Sequence, residues 1–131
     1  MLVLGLFVAC SSCASKSMQD YYSREENYIR ATGTITHIFH DEENKVLYLE
    51  FCNLEPAMDD TCFKLVGDNY ELLMSRGIRE LEIGQQIEFV TAPKYFGDGY
   101  VMPLVEVTVN GKCYLGFLEG KENLLKWLDT Q

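Results

Sequence analysis

Positive charge is scarce in this chain of 131 residues. Eleven lysines and arginines stand against 20 aspartates and glutamates, so the formal net charge is −9. Affinity for nucleic acids depends largely on Lys and Arg contacts to phosphates, and docking on an anionic bilayer needs a basic patch. The charge balance therefore disfavours nucleic acid as a partner, and it disfavours peripheral binding to an anionic membrane.

Motifs of the common catalytic sites are also missing. The sequence contains no G-x-S-x-G, no glycine loop that would bind phosphate, and no cysteine with an evident histidine partner. We therefore predict that the protein is not an enzyme, with no catalytic residue, metal ligand or cofactor. A pair of catalytic carboxylates stays open, because such a pair forms in space and leaves no pattern in sequence.

The chain starts with an apolar run that is too short to span a bilayer. Residues 1–9 are apolar, whereas a membrane-spanning helix needs about 20 such residues. The run has the length of the apolar region of a signal peptide and is followed by small residues. No Lys or Arg precedes it, which favours an internal start and a true signal that is longer.

Phe7-Val8-Ala9-Cys10 resembles the lipobox of bacterial lipoproteins, although Phe7 stands where an aliphatic residue is usual. The resemblance implies that Cys10 is diacylated and becomes the new N-terminus, with Cys13 a weaker candidate. It also implies a lipid anchor in the membrane and an extracytoplasmic location in the cell envelope. The alternative is a cytosolic protein whose first segment happens to be apolar.

Three segments follow from this interpretation. Residues 1–9 form the signal-like segment, residues 10–27 form a Ser-rich tether that can include one or two helical turns, and residues 28–131 form a single domain. A domain of this size is large enough for one hydrophobic core.

The domain opens with two predicted strands between Tyr28 and Phe51, joined by a polar turn, with Gly33 midway along the first. A glycine inside a strand typically marks a bulge or bend. Alternation predicts two distinct faces in each strand. One face of the first strand carries Ile29, Ala31, Gly33, Ile35, His37 and Phe39, and the core side of the second carries Leu47, Leu49 and Phe51.

The remaining chain predicts further strands and two helices. A third strand, Cys62–Val66, precedes a helix that Asp68 would cap and Gly77 would end. A fourth strand ends at Thr91. Asn110-Gly111 then predicts a tight hairpin between strands 101–109 and 112–117. The predicted hairpin is apolar on both faces, with Val105, Val107 and Val109 on one of them. A C-terminal helix over 119–130, with a stripe of Leu124, Leu125 and Leu128, is expected to cover the opposite, outer face, which carries Met102, Leu104, Leu115 and Phe117.

This order is similar to the OB-fold: three strands, a helix, then further strands, with a glycine midway in the first strand. The resemblance implies a mainly β domain, a β-barrel of five to six strands with a helix between strands 3 and 4 and a C-terminal helix. A β-sandwich or an SH3-like barrel could use the same strands.

The OB-fold resemblance also implies a ligand site across the second and third strands, between loops 40–44 and 93–100. The aromatic residues placed to bind a ligand there are Tyr48, Tyr95, Phe96 and Tyr100. Because the loops are acidic, a peptide or glycan is favoured over an oligonucleotide, and a protein partner fits the same reasoning. We therefore expect a binding or scaffolding domain.

Cys52 and Cys62 bracket a loop at the facing ends of adjacent predicted strands. An exported protein could join them in a disulfide, or they could remain two partly buried thiols. Acidic residues in the same loop leave a metal-binding protein or metal-dependent enzyme as one alternative function. A cytosolic OB-fold interaction module is the other.

Overall fold

The computed structural model describes residues 17–77, 81–93 and 101–131. The described chain is mainly β, with three helices around a ring-like sheet, which confirms the predicted fold class at this level. The strands are β1 (Ile29–Asp41), β2 (Val46–Glu55), β3 (Cys62–Val66), β4 (Gln86–Thr91), β5 (Val101–Val109) and β6 (Lys112–Leu115). The helices are α1 (residues 17–23), α2 (Gly67–Ser75) and α3 (Phe117–Asp129), and Glu25–Asn27 forms a 3-10 turn.

Strand pairing makes the sheet a ring. The order is β3-β2-β1-β4-β5-β6, and β3 pairs in addition with β5. This extra pairing is parallel and joins Cys62 to Val101, Phe63 to Met102 and Lys64 to Pro103. Strands β1, β2, β3, β5 and β4 therefore follow one another around the ring, and β6 extends β5. Helix α2 lies between β3 and β4 in the chain, as predicted.

Gly33 lies where the pairing of β1 with β2 is irregular. The register shifts between Thr32 and Thr34. A Cβ atom on Gly33 would lie 2.9 Å from Leu54 Cδ2 and 3.0 Å from Phe51 Cγ. The prediction of an irregularity at Gly33 is confirmed, and its cause is the close approach of β2 side chains to the β1 backbone.

A second register shift follows between Ile35 and His37. From the pair Ile35–Phe51 to the next pair, His37–Glu50, β1 continues by two residues and β2 by only one. Side chains of β1 beyond this point therefore point to the opposite faces from those that strict alternation predicts. Ile38 consequently packs against the core, whereas Phe39 is 63% exposed and His37 is also exposed. The prediction that His37 and Phe39 share a face with Ala31 and Ile35 is wrong for this reason.

The interior of the ring is filled by aromatic and aliphatic side chains. The rings of Phe51 and Phe89 stack with centroids 4.8 Å apart, and Phe63 contacts both. A second apolar cluster lies outside the ring, between the sheet and the helices. Its buried members are Tyr22, Val46, Val66, Val90, Ala92, Val105, Leu124 and Leu128. The sheet is therefore covered on its outer side as well as filled on its inner side.

Helix α3 lies directly on β5, but not on the predicted face of this strand. Met102, Leu104 and Leu115, which the helix was expected to cover, belong to the inner core. A Cβ atom on Gly120 would lie only 1.7 Å from the carbonyl oxygen of Val105. The register of β5 with β4 is irregular at this point, so Val105 joins the outer cluster while Val107 and Val109 join the core. The prediction that these three valines share one face is therefore wrong.

Helix α2 is attached to α3 by polar contacts. The buried side chain of Asn69 donates to the Gly120 carbonyl at 2.9 Å and accepts from Asn123 at 3.1 Å. The prediction that Asp68 caps this helix is wrong. The N-cap is Val66, without a side-chain hydrogen bond, and Asp68 instead forms an ion pair with Lys126 at 3.0 Å. The predicted end of the helix at Gly77 is confirmed, because Gly77 follows the last turn with φ +92°.

Helix α1 packs beside α3. Tyr22 is 4% exposed, the Gln19 side chain donates to the Leu125 carbonyl at 2.8 Å, and the Tyr28 hydroxyl donates to the Tyr22 carbonyl at 2.7 Å. Residues 17–27, which the sequence prediction assigned to the tether, therefore belong to the folded unit. No helix of the described residues has the length and apolar character needed to cross a bilayer.

Replacing Gly120 by alanine is expected to destabilise the protein by at least about 2 kcal/mol, because the new methyl group overlaps the β5 backbone. Urea unfolding monitored by circular dichroism measures the effect. Gly116→Ala is the matched control, since a Cβ there meets nothing within 4 Å. Equal stability of Gly120→Ala and wild type would show that α3 does not pack this closely.

Glu119 accepts a two-pronged ion pair from Arg76, with distances of 2.9 and 3.0 Å. Hydrogen bonding to Arg76 lowers the pKa of Glu119 below its usual value. The pair therefore stabilises the fold above the unfolded pKa of about 4.3, and this contribution disappears as pH falls through the lower folded pKa. Both side chains are 40% exposed, so solvent screening keeps the contribution below about 1 kcal/mol.

We expect Glu119→Gln to be less stable than wild type at pH 7 and equally stable well below pH of about 4. Unfolding curves across this pH range measure the difference. Glu122→Gln, an exposed change on the same helix, is expected to follow wild type throughout. A difference for Glu119→Gln that persists unchanged in acid would assign its effect to something other than this ion pair.

Candidate functional site

The outer surface of the β1–β2 ribbon carries an exposed aromatic pair. Phe39 and Tyr48 lie directly opposite each other in the register, with ring centroids 5.9 Å apart. Phe39 is 63% exposed and Tyr48 is half-buried. We call the outward side chains of His37, Phe39, Tyr48 and Glu50 the β1–β2 face. Large apolar groups exposed beside polar ones are typical of binding surfaces.

The exposure of Phe39 follows from the register shift that precedes it. Ile38 and Phe39 are neighbours in one strand, so only one of them can point into the core. The shift after Ile35 turns Ile38 inward and Phe39 outward. The aromatic pair is therefore a product of the bulge.

Acidic groups lie on both sides of the aromatic pair. On one side, Glu50 lies opposite His37, with 3.9 Å between its carboxylate and the imidazole Nδ1. On the other side is the hairpin turn, where the side chain and backbone N–H of Asn44 donate to Asp41 at 2.9 and 3.1 Å. These hydrogen bonds, led by that of the Asn44 side chain, lower the pKa of Asp41. Asp41 therefore stays charged at neutral pH.

The β3 side of this surface is covered by α3. Lys64 lies opposite Tyr48 in the register but is only 8% exposed, and its ammonium lies 5.3 Å from the centroid of the Trp127 ring. Trp127 also lies against Gly67, where a Cβ would meet it at 2.9 Å. The exposed aromatic surface is consequently restricted to β1 and β2 and does not extend to β3.

The structure places one of the four predicted ligand-binding aromatics on this face, namely Tyr48. Tyr95, Phe96 and Tyr100 lie outside the described residues, as does the predicted lipidation site Cys10. Their role stays a prediction. The described chain resumes at Val101, which pairs with Cys62, and Cys62 in turn pairs with Glu50. The chain thus enters β5 at the Glu50 end of the face.

Cys52 and Cys62 are free thiols in the structure. The register places Cys62 opposite Glu50, with Cys52 two residues farther along β2. Cys52 is exposed and Cys62 is partly buried, and a disulfide between them stays a prediction. Burial, and secondarily the charge of Glu50, raise the pKa of Cys62. Cys113 is also a free thiol, exposed on β6.

The loop between Cys52 and Cys62 was the basis of the metal-binding alternative. It lies wholly within the described residues, and in that part of the chain no three His, Cys, Asp or Glu side chains are grouped closely enough to hold a metal ion. Within the described chain, His40 has one hydrogen-bond partner outside its own turn. Its Nε2 atom is hydrogen-bonded to the hydroxyl of Tyr70.

Sequence reasoning missed two features of the surface. One is the exposure of Phe39, which was grouped on one strand face with Ala31 and Ile35. The other is an open cleft of about 270 Å³ at the end of the β5–β6 hairpin, lined by Gly77, Leu81, Gln85, Val109, Asn110, Lys112 and Tyr114. These residues come from three separated stretches of the chain. No local pattern in the sequence indicates that they meet.

Alkylation of the cysteines should distinguish Cys62 from Cys52. We expect Cys62 to react more slowly at pH 8, because it is partly buried and its raised pKa lowers the thiolate fraction. Peptide mapping by mass spectrometry after timed iodoacetamide treatment measures the extent of alkylation of each cysteine separately. Glu50→Gln should speed the reaction of Cys62 and leave that of Cys113 unchanged. A disulfide between Cys52 and Cys62 in the native protein would contradict the free-thiol arrangement.

Comparison of the chain with models of known families, with curated proteins and with solved structures finds no match in any of the three. We therefore infer function from the geometry and charge of the described surface.

Proposed function

We propose that this chain is a small binding module for a peptide or glycan, held at the cell envelope by a lipid on Cys10. The observation that carries the proposal is the aromatic pair on the β1–β2 face, where Phe39 is 63% exposed next to Tyr48. Water is a poor environment for such a ring, and a ligand that covers it would gain free energy from burial of its apolar surface.

The pairing pattern supports an OB-fold-like barrel as the framework. The ring order β1-β2-β3-β5-β4, with five strands and a helix between β3 and β4, supports this proposal because OB-folds are five-stranded Greek-key barrels. OB-folds bind ligands across their second and third strands, between two loops. Because Trp127 of α3 covers the β3 part here, we place the ligand on β1 and β2.

The packing of α1 makes the proposed anchor short. Six residues lie between Cys10 and residue 17, where the described residues begin, which makes seven residue steps. A chain of this length spans at most about 25 Å. A lipid on Cys10 would therefore keep the folded unit close to the bilayer surface, so that its ligand would be a component of the envelope or its immediate surroundings.

The anchor is tested by mass spectrometry of the N-terminus of the native protein. We expect an acylated Cys10 at the N-terminus, and we expect the Cys10→Ser chain to leave the membrane fraction. Cys113→Ser, at an exposed position on β6, serves as the matched control and should stay with the membrane. An unmodified Met1 would overturn the anchor and favour the cytosolic interaction module.

The binding role is tested on arrays of glycans and peptides with the purified full chain. We expect at least one class of probe to be retained by wild type and lost by Phe39→Ala. Leu118→Ala is the matched control, because Leu118 is 68% exposed on α3, and it should retain the probe. Absence of any probe whose retention depends on Phe39 would overturn the proposed site.

A further inference from the structure

We infer that the ligand of the β1–β2 face is a basic peptide, bound as an extended segment with an aromatic or aliphatic side chain between two lysines or arginines. The inference rests on the proposed function, since it names the partner class of the same face. It combines the exposed ring of Phe39 with the charge and spacing of the groups around it.

The surrounding chain is strongly acidic. Between residues 36 and 62 the only basic side chain, apart from the two histidines, is that of Lys45. Seven side chains in the same stretch are acidic: Asp41, Glu42, Glu43, Glu50, Glu55, Asp59 and Asp60. A surface of one sign attracts partners of the other sign and repels those of its own.

Several of these carboxylates have no strong ion-pair partner in the part of the chain that the structure describes. Within the described residues, Glu43 and Glu55 are exposed and form no ion pair, and Glu42 is 82% exposed with only an imidazole 4.0 Å away. Lys45 is already engaged, because its ammonium lies 3.0 Å from Glu71. Lys64 is buried against Trp127. The face therefore presents negative charge that a ligand could pair with.

The spacing of the charges matches an extended peptide. Asp41 and Glu50 lie on opposite sides of the Phe39–Tyr48 pair. Asp41 is two residues from Phe39 along β1, and Glu50 is two residues from Tyr48 along β2. A step of two residues along a strand is about 7 Å. Side chains two apart in an extended peptide have the same spacing. We therefore expect a peptide with an apolar residue and a basic residue two positions before and after it. Its apolar side chain would meet the ring of Phe39, and its two basic side chains would meet the carboxylates of Asp41 and Glu50.

This chemistry separates a basic peptide from a glycan. A neutral sugar could stack on Phe39 but would leave the surrounding carboxylates without partners, and an acidic sugar would be repelled by them. Lysine or arginine can form ion pairs with the carboxylates, and a cation can also lie over the exposed ring. Of the two ligand classes, only the basic peptide would contact the exposed ring and also pair with the surrounding carboxylates.

The test uses three pools of random 11-residue peptides that share a central tryptophan. The positions two before and two after it are Lys or Arg in one pool, Asp or Glu in the second, and Asn or Gln in the third. Binding of each fluorescent pool to the purified full chain is measured by anisotropy at low salt, and a glycan array is run in parallel. We expect the basic pool to bind at least about tenfold more tightly than the other two.

Two pairs of variants locate the binding. Phe39→Ala should weaken the basic pool about tenfold or more, as loss of an aromatic anchor does, whereas Leu118→Ala should not. The double change Glu42→Gln and Glu43→Gln should weaken it about threefold at low salt, and this effect should vanish near about 0.5 M salt. Glu122→Gln with Asp129→Asn removes two exposed carboxylates from α3 and is expected to leave binding unchanged.

Each contrary result has a distinct meaning. Equal binding of the neutral or acidic pool through Phe39, or binding of a glycan through Phe39, would overturn the basic-peptide inference and leave the proposed binding face standing. Binding of the basic pool that is unaffected by Phe39→Ala would place it elsewhere and overturn the inference. Absence of any peptide or glycan whose binding depends on Phe39 would overturn both the inference and the proposed function.

Discussion

The parallel pairing of β3 with β5 is the constraint on which the rest of the structure depends. It joins Cys62–Lys64 to Val101–Pro103, segments that are distant in sequence, and so closes the ring around Phe51, Phe63 and Phe89. A strand pair of this kind cannot be formed by a hairpin, because parallel strands need a long connection. Here that connection contains α2 and β4. Once the ring is closed, the inner face of every ring strand faces one shared core.

Closure leaves an outer surface that the chain covers unevenly. Helix α3 touches the backbone of β5 at Gly120 and reaches Lys64 with Trp127, while α1 packs along its other side. The β1–β2 ribbon is only partly covered: Val46 belongs to the outer cluster and Tyr48 packs against it, whereas Phe39 is 63% exposed. The same helices that complete the fold therefore decide which part of the sheet is left for a ligand.

Local patterns predicted most of the elements. Alternation in Leu47, Leu49 and Phe51 correctly gave the inner face of β2, and Asn110-Gly111 correctly gave the β5–β6 turn. Errors occurred where the register changes: Phe39 was grouped with Ala31 and Ile35, and Val105 was grouped with Val107. A bulge exchanges the two faces of a strand without any signature in the alternation itself. The surface that we propose as the site was missed for this reason, although Tyr48 was placed correctly on the outer side of β2.

The sequence by itself determined the element order, the inner face of β2, the excess of negative charge and the glycine at the first irregularity, because each depends on neighbours along the chain. Only the tertiary structure decided that β3 meets β5, that residues 17–27 belong to the fold, and that Phe39 rather than Ile38 is exposed. These outcomes depend on contacts between distant segments. Their free energies compete with local preferences, and the balance is set only when the whole chain packs.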